Sequence, residues 1–413
     1  MTDLPGSLHA IHPPEIHFPH VHLPQGFSFS AVAAGIKVSG RPDLALAVAC
    51  PGTTAAAVFT KNRVIAAPLE VDRAALKATR GRVRAVLVNS GNANCATGAA
   101  GLKACREVCS KTADLLGLKP QEIFPSSTGI IGVPLPAEKI IAKLPELIGT
   151  NAATENAMTR FARAIMTTDL RMKTASSRFR AGKSEITLTG IAKGSGMIHP
   201  QMATMLVYLF TDIQAPASDL QSLLRKTCDE TFNCISVDGD TSTNDTVLLM
   251  ASGQSGASLK KARKKFASAL LEVCQSLAGQ IVADGEGVKH VIRLSIQQAK
   301  NHAEALRIAK AIAHSLLVKT AWAGADPNWG RILAAMGACG VPIQPDHLEI
   351  SIGDQIVFHK GTVNAFDETR AHQHLSQPVC DITIKLKRGK SSILFHTTDL
   401  TAEYVRINAD YST

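Results

Sequence analysis

Apolar runs broken by Gly, Pro and polar clusters divide the chain into short strands and longer helical stretches. Phe27 to Arg73 alternates small apolar and polar positions and predicts several short strands, among them Ala45–Ala49, Ala56–Thr60 and Pro68–Asp72. Arg84–Asn89 is an apolar run with the length of a buried strand, Leu102–Leu116 carries helical periodicity, and Ile123–Thr128 leads into the glycine-bracketed turn Gly129–Gly132. Asn151–Met166 predicts a helix that stops at Thr167-Thr168-Asp169, and Glu185–Ala192 a strand. Met205–Phe210 has the look of a core strand, followed by a helix over Ser218–Thr231, a polar loop over Ser236–Asp245, a strand over Thr246–Ala251 and a long helix over Leu259–Val282. Beyond the acidic turn Asp284–Gly287 come a strand over His290–Ile296, a helix over His302–Ala321 and a second helix starting near Trp329. The tail, Leu348–Asn408, is mostly strand-like. There is no strict βαβ rhythm, so the pattern predicts an α/β protein with helices layered against mixed β-sheets, not a doubly wound parallel sheet.

Composition narrows the function classes. With 413 residues, 45% hydrophobic and 19% charged, the chain is globular, with room for two or three domain-sized units. The formal charge of +10 reads as a solubilising surface. Its densest stretch, Lys260 to Lys265, opens a helical pattern without interleaved aromatics, which fits a solvated helix face better than a nucleic-acid site. Nine cysteines without a CxxC pair or a secretory signal point to a reducing cytoplasm. Cys105 and Cys109, one helical turn apart, read as two buried thiols. No apolar run approaches the ~20 residues that span a bilayer, so neither a membrane nor a nucleic acid is an expected partner. Residues 1–26 are rich in Pro and His. His9, His12, His17, His20 and His22 lie among prolines that prevent a fixed helical face, so a flexible leader is expected and no metal site.

Chemistry concentrates at Lys193–Asp212, KGSGMIHPQMATMLVYLFTD. A glycine-rich turn after Lys193 delivers Ala203 and Thr204 to the start of a core strand. The Thr204 hydroxyl there can attack the small Ala203 residue's carbonyl and leave Thr204 as a new amino terminus. An α-amine has a reference pKa of about 7.7–8.0, so the new terminus would carry nucleophile and base together. On pattern alone, a threonine at a strand start is more often a packing or capping residue. The other candidates have equally plain readings: Thr128-Gly129 as an ordinary turn, Thr167 as helix termination, Lys193 as a surface lysine, Glu286 as part of an acidic turn, and the carboxyl terminus as a frayed end. Neither a phosphate loop nor a G-x-S-x-G nucleophile elbow is present.

The segment KGSGMIHPQMATML resembles the cleavage-site signature of the ornithine acetyltransferase (ArgJ) family, and the similarity extends from near Phe27 to Thr413. Further motifs in the family's order are the STG-I-IG segment at Ser127, TTD at Thr167, the EG pair at Glu286 and YVRIN near the carboxyl terminus. The resemblance implies the layered DmpA/ArgJ-like fold and self-cleavage between Ala203 and Thr204 into segments 27–203 (behind the leader) and 204–413. These segments stay associated, as a heterotetramer of two of each. It makes Thr204 the nucleophile and Thr128 and Gly129 the oxyanion hole, with Thr167, Lys193, Thr204, Glu286, Asn408 and Thr413 binding substrate. The implied reaction carries the acetyl group of N-acetylornithine to glutamate through acetyl-threonine, with no bound cofactor and with acetyl-CoA as a further donor. The chain departs from the family pattern in three places: Leu170 stands where the fourth residue of TTDT is expected, Cys95 and Ala96 after the Asn89–Asn94 signature are exchanged relative to the usual order, and Val288-Lys289-His290 replaces Ala-Thr-Lys. Rival readings are a monofunctional enzyme without acetyl-CoA activity, an aminopeptidase or amidase with a similar self-generated nucleophile, and a non-enzymatic anion- or nucleic-acid-binding protein that uses the +10 charge.

Overall fold

A computed structural model describes residues 21–199 and 205–410, which form two compact units. The larger unit runs to Gly287 and takes in the last helix of the chain. Its elements are β1 (Phe27–Val32), β2 (Leu44–Ala49), β3 (Thr54–Phe59), α1 (Ala67–Thr79), β4 (Ala85–Asn92), α2 (Gly98–Leu116), β5 (Ile123–Ile130), α3 (Ala137–Gly149), α4 (Glu155–Ala164), β6 (Lys173–Ala181), β7 (Ser184–Lys193), β8 (Leu206–Thr211), α5 (Ala217–Glu230), β9 (Thr246–Ala251) and α6 (Leu259–Ala283). The strands make two mixed sheets, one in the order β1-β2-β4-β5 and one in the order β3-β9-β8-β7-β6.

Most strands of the two sheets are buried on both faces, and their sequences show it. In β2, LALAVA, the alanines Ala45, Ala47 and Ala49 join the core between the sheets, while Leu44 and Leu46 face α2 and α3. Phe27, Phe29, Phe161 and Phe210 fill the inter-sheet core, with edge-to-face ring pairs 5.1–5.6 Å apart for Phe29–Phe210, Phe27–Phe210 and Phe29–Phe161. On the far side α6 lies across β6 and β7, and Gly190 of β7 lets Leu277 and Val273 approach closely. The unit is therefore layered helix, sheet, sheet, helix, as the pattern predicted. Val21–Gly26, placed in the leader on sequence, is tied down: Val21 is buried, Ser252 Oγ donates to the Gln25 carbonyl at 2.6 Å and His22 N–H donates to Ser176 Oγ at 3.2 Å.

The second unit, from Val288 to Thr401, holds β10 (Val291–Ala299), α7 (His302–Ala313), α8 (Leu316–Ala323), α9 (Trp329–Gly337), β11 (Glu349–Ile352), β12 (Gln355–His359), β13 (Thr362–Val363), α10 (Glu368–Leu375), β14 (Val379–Lys385) and β15 (Ser391–Thr398). Its six strands form one mixed sheet in the order β13-β12-β11-β14-β10-β15. Helix α11 (Ala402–Asp410) belongs to the larger unit.

Several expectations are corrected. Pro68–Asp72 is the first turn of α1 and not a strand, because proline is compatible with the first helical positions and Leu69, Asp72 and Ala75 recur on one buried face. The single helix over His302–Ala321 is two helices, with Ser315 capping the second through Val318 N–H. Gly129 lies within β5 and not in a turn beyond it. The YVRIN segment is helical, as α11, where a strand was expected. Helix α6 is, by length and composition, apolar enough to cross a bilayer, contrary to the reading of the bare run; twelve of its residues are buried within the protein, and Lys260, Lys261, Arg263, Lys264 and Lys265 line its exposed face.

Candidate active site

Of the expected site residues, Thr128, Gly129 and Lys193 come together at one end of the two sheets. Lys193 closes β7 directly opposite Leu206, the first residue of β8. Thr128 and Gly129 lie near the end of β5, beside Ser90 and Gly91 of β4. At Gly129 the backbone takes φ +134, and a Cβ there would stand 2.3 Å from the Gly91 carbonyl carbon, so only glycine fits. Ala203, Thr204 and Thr413 lie outside the described residues.

Lys193 is buried, where the sequence allowed a surface lysine. Its ammonium donates to Thr128 Oγ1 at 3.3 Å and stands 3.9 Å from an Asp169 oxygen. Because the Thr128 oxygen accepts from Lys193, its own proton remains available as a donor. Burial pushes the Lys193 ammonium down from the ordinary lysine value, against the pull of Asp169.

Beneath this pair is a buried ion triad that sequence reading did not find. Lys173, at the start of β6, bridges Asp169 and Asp284 with 2.6 Å hydrogen bonds to each. Asp169 also accepts from the backbone N–H of Thr167 at 2.9 Å and of Gly194 at 2.7 Å. Asp284 accepts from Leu170 N–H at 3.0 Å and Arg171 N–H at 3.2 Å, and its carbonyl accepts from Ser195 Oγ at 2.7 Å. Burial alone would raise the Asp169 carboxyl, but Lys173, Lys193 and the Gly194 N–H together hold it well below the usual carboxylate range. The Leu170 departure is thereby explained: its backbone makes the contact and its side chain is 83% exposed. Asp169, expected as a helix-terminating residue, is instead the hub that joins Thr167 to the Lys193 turn.

Glu286 and Asn408 are brought together, with Asn408 Nδ2 donating to Glu286 Oε2 at 2.9 Å. Gly196 makes room for this carboxylate, since a Cβ there would lie 2.4 Å from Oε2. Two further groups were missed on sequence because they lie in the polar loop before β9. Asn244 donates to the Ser127 carbonyl at 2.8 Å and the Ala93 carbonyl at 2.7 Å, while Asp245 accepts from Met205 N–H at 3.0 Å. Adjacent residues thus fix the approach to Thr128 and the residue that follows Thr204. Burial drives the Asp245 carboxyl well above the ordinary range. In the same loop Asp238 accepts from Met197 and Ile198 N–H at 2.5 and 2.9 Å. Among the described residues no three His, Cys, Asp or Glu side chains converge to hold a metal ion.

The sequence model of the ArgJ family matches residues 28–413 of this chain. The chain belongs to the ArgJ family. It is 43% identical over 398 residues to the arginine biosynthesis bifunctional protein ArgJ of Ruegeria pomeroyi, covering 95% of this chain and 96% of that protein. To the protein of the same name from Thermus thermophilus it is 44% identical over 393 residues, covering 95% of this chain and all of that one. A crystal structure of the Bacillus halodurans ArgJ protein aligns with 40% identity and a TM-score of 0.47, over 48% of this chain and 96% of that chain. The expected site residues that fall among the described residues, Thr128, Gly129, Thr167, Lys193, Glu286 and Asn408, lie in the larger unit.

Replacing Lys173 by Met leaves two buried carboxylates without their cation. Urea unfolding at neutral pH is expected to show a loss of about 3–5 kcal/mol. A second expectation concerns Asp238, which burial pushes up to about 6. That lies above the ~3.9 of an unfolded aspartate, so its contribution favours folding below about pH 4 and is lost as the pH rises through about 6. Against the non-titrating Asp238→Asn variant, the wild type is therefore expected to lose relative stability from about pH 4 to pH 7. Paired urea titrations across that range test it, and a constant difference would refute it.

Proposed function

We propose that the chain is a self-cleaving acetyltransferase of arginine biosynthesis that moves the acetyl group of N2-acetylornithine to glutamate and also makes N-acetylglutamate from acetyl-CoA. The observation that carries this reading is the family match over residues 28–413, with relatives of 43–44% identity across 95% of the chain that bear a bifunctional name. Thr204 Oγ attacks the Ala203 carbonyl carbon, the peptide C–N bond breaks, and water hydrolyses the resulting ester. An Ala203 carboxylate and a free Thr204 amine remain.

That amine takes the hydroxyl proton as Oγ attacks the acetyl carbonyl carbon of the donor. The Thr128 hydroxyl and the Gly129 N–H hold the oxyanion. Collapse of the adduct breaks the bond to the ornithine nitrogen, which leaves as the protonated amine, and the acetyl group stays on Thr204 as an ester. The glutamate amine then attacks that ester, forms N-acetylglutamate and returns the proton to Oγ. With acetyl-CoA as donor, the thiol leaves instead.

Thr167, Lys193, Glu286, Asn408 and Thr413 bind the amino-acid part of the substrates. An ammonium carries three donors, so Lys193 can serve Thr128 and still meet a substrate carboxylate, while Glu286 receives a substrate ammonium. The acetyl group rides on the protein, so acetyl-CoA enters as a co-substrate and no resident cofactor is needed. Segments ending at Ala203 and starting at Thr204 stay associated and assemble as a heterotetramer of two of each in the cytoplasm.

A denaturing gel with amino-terminal sequencing tests the first step. Wild type and Lys289→Ala are expected as two bands of nearly equal size, with a new terminus at Thr204, and Thr204→Ala as one full-length band without transferase activity. A cleaved Thr204→Ala chain would rule out self-attack. For the second step, Thr128→Ala is expected to lower kcat for acetyl transfer by roughly 10²–10³, the usual effect of removing one oxyanion donor. An unchanged kcat would remove Thr128 from that role.

A further inference from the structure

Helix α11 has no fully buried residue, and within it only Tyr404 and Ile407 are half-buried, so little apolar packing holds it in place. Nine residues are too few for a stable isolated helix, and its own ion pairs, Arg406–Glu403 and Arg406–Asp410, are solvent-exposed and contribute little. Polar contacts from one face add to this seat. Tyr404 and Asn408, four residues apart, point the same way. Asn408 donates to Glu286, and the Tyr404 hydroxyl donates to Asp238 Oδ2 at 3.4 Å. Gly287 lets the helix approach, since a Cβ there would lie 2.4 Å from the Tyr404 nitrogen.

Asp238 Oδ2 is also the oxygen that holds Met197 N–H, and Oδ1 holds Ile198 N–H. The Ile198 carbonyl in return accepts from Val237 N–H at 2.9 Å and Ser236 Oγ at 3.0 Å. One carboxylate therefore joins the turn after Lys193 to the helix that bears Asn408. We infer that Tyr404 and Asp238 are positioning residues: the Tyr404 hydroxyl seats α11 on Asp238, and this seat sets Asn408 against Glu286 for capture of the amino-acid substrate. The kinetic part of the inference rests on the acetyl-transfer reading above.

Tyr404→Phe keeps the ring and removes only the hydroxyl, and it leaves Asp238 holding Met197 and Ile198. Self-cleavage is therefore expected to go to completion in this variant, which shows that the chain has folded. The KM for N-acetylornithine is expected to rise roughly tenfold, the scale of one lost hydrogen bond, with kcat within about twofold of wild type. Amide hydrogen exchange across 402–410 is expected to speed up by a similar factor, while exchange in β8 stays as it was. A Tyr404→Phe variant with wild-type KM and wild-type exchange in α11 overturns the inference, as does a loss confined to kcat. Should the wild type transfer no acetyl group, the functional reading fails, and the exchange comparison still decides whether Tyr404 seats the helix.

Discussion

The bridge of Lys173 between Asp169 and Asp284 is the constraint on which the site geometry depends. Three charges removed from water cost several kcal/mol each, and mutual attraction offsets this only when the remaining donors and acceptors are also satisfied. Here they are. Asp169 takes two backbone N–H groups, Asp284 takes two more, and Lys173 donates to the Arg171 carbonyl. Those partners come from the end of the Thr167 loop, the start of β6, the turn after Lys193 and the residue that follows α6. A displacement in any one leaves a buried charge unpaired, so the four segments move together or not at all. Lys193 inherits its place from this arrangement: Asp169 sits under its ammonium and Thr128 in front of it.

Close backbone approach is the second condition. Gly129 against Gly91, Gly196 against the Glu286 carboxylate and Gly287 against the start of α11 each occupy space that a Cβ would fill. The first sets where Thr128 and Gly129 stand and the other two where the acid and its amide partner meet. Glycine-rich turns around this site thus serve proximity as well as unusual dihedral angles.

Much of the sheet architecture was legible because strands buried on both faces leave unmistakable apolar runs, as in Arg84–Asn89 and Thr246–Ala251. Helices were harder where a local signal contradicted them. Pro68 marks the first turn of α1, Pro145 lies inside α3, and the short YVRIN run of α11 lacks the buried stripe that announces a helix. Thr128, Gly129, Thr167, Lys193, Glu286 and Asn408 were reachable through motif resemblance, and their pairing through space was not. Lys173 and Asp284 stand 111 positions apart, and no spacing rule links a lysine at a strand start to an aspartate after a helix. Asn244 and Asp245 were hidden for a related reason: a polar loop reads as solvated, whereas both side chains are buried against carbonyl and amide groups of other strands.

The strand order also bears on the proposed cut between residues 203 and 204. In the sheet β3-β9-β8-β7-β6, strands β3, β7 and β6 precede that junction in the chain and β8 and β9 follow it. Each side is thus interleaved with the other: β8 pairs with β7 along its whole length and β9 pairs with β3. The aromatic core draws Phe27, Phe29 and Phe161 from one side and Tyr208 and Phe210 from the other. The ion triad likewise takes Asp169 and Lys173 from before the junction and Asp284 from after it. Separation would open two ladders, a hydrophobic core and a buried charge cluster at once, a cost far beyond the conformational freedom released by breaking one peptide bond. A covalent link at this point is therefore dispensable to the fold once folding is complete.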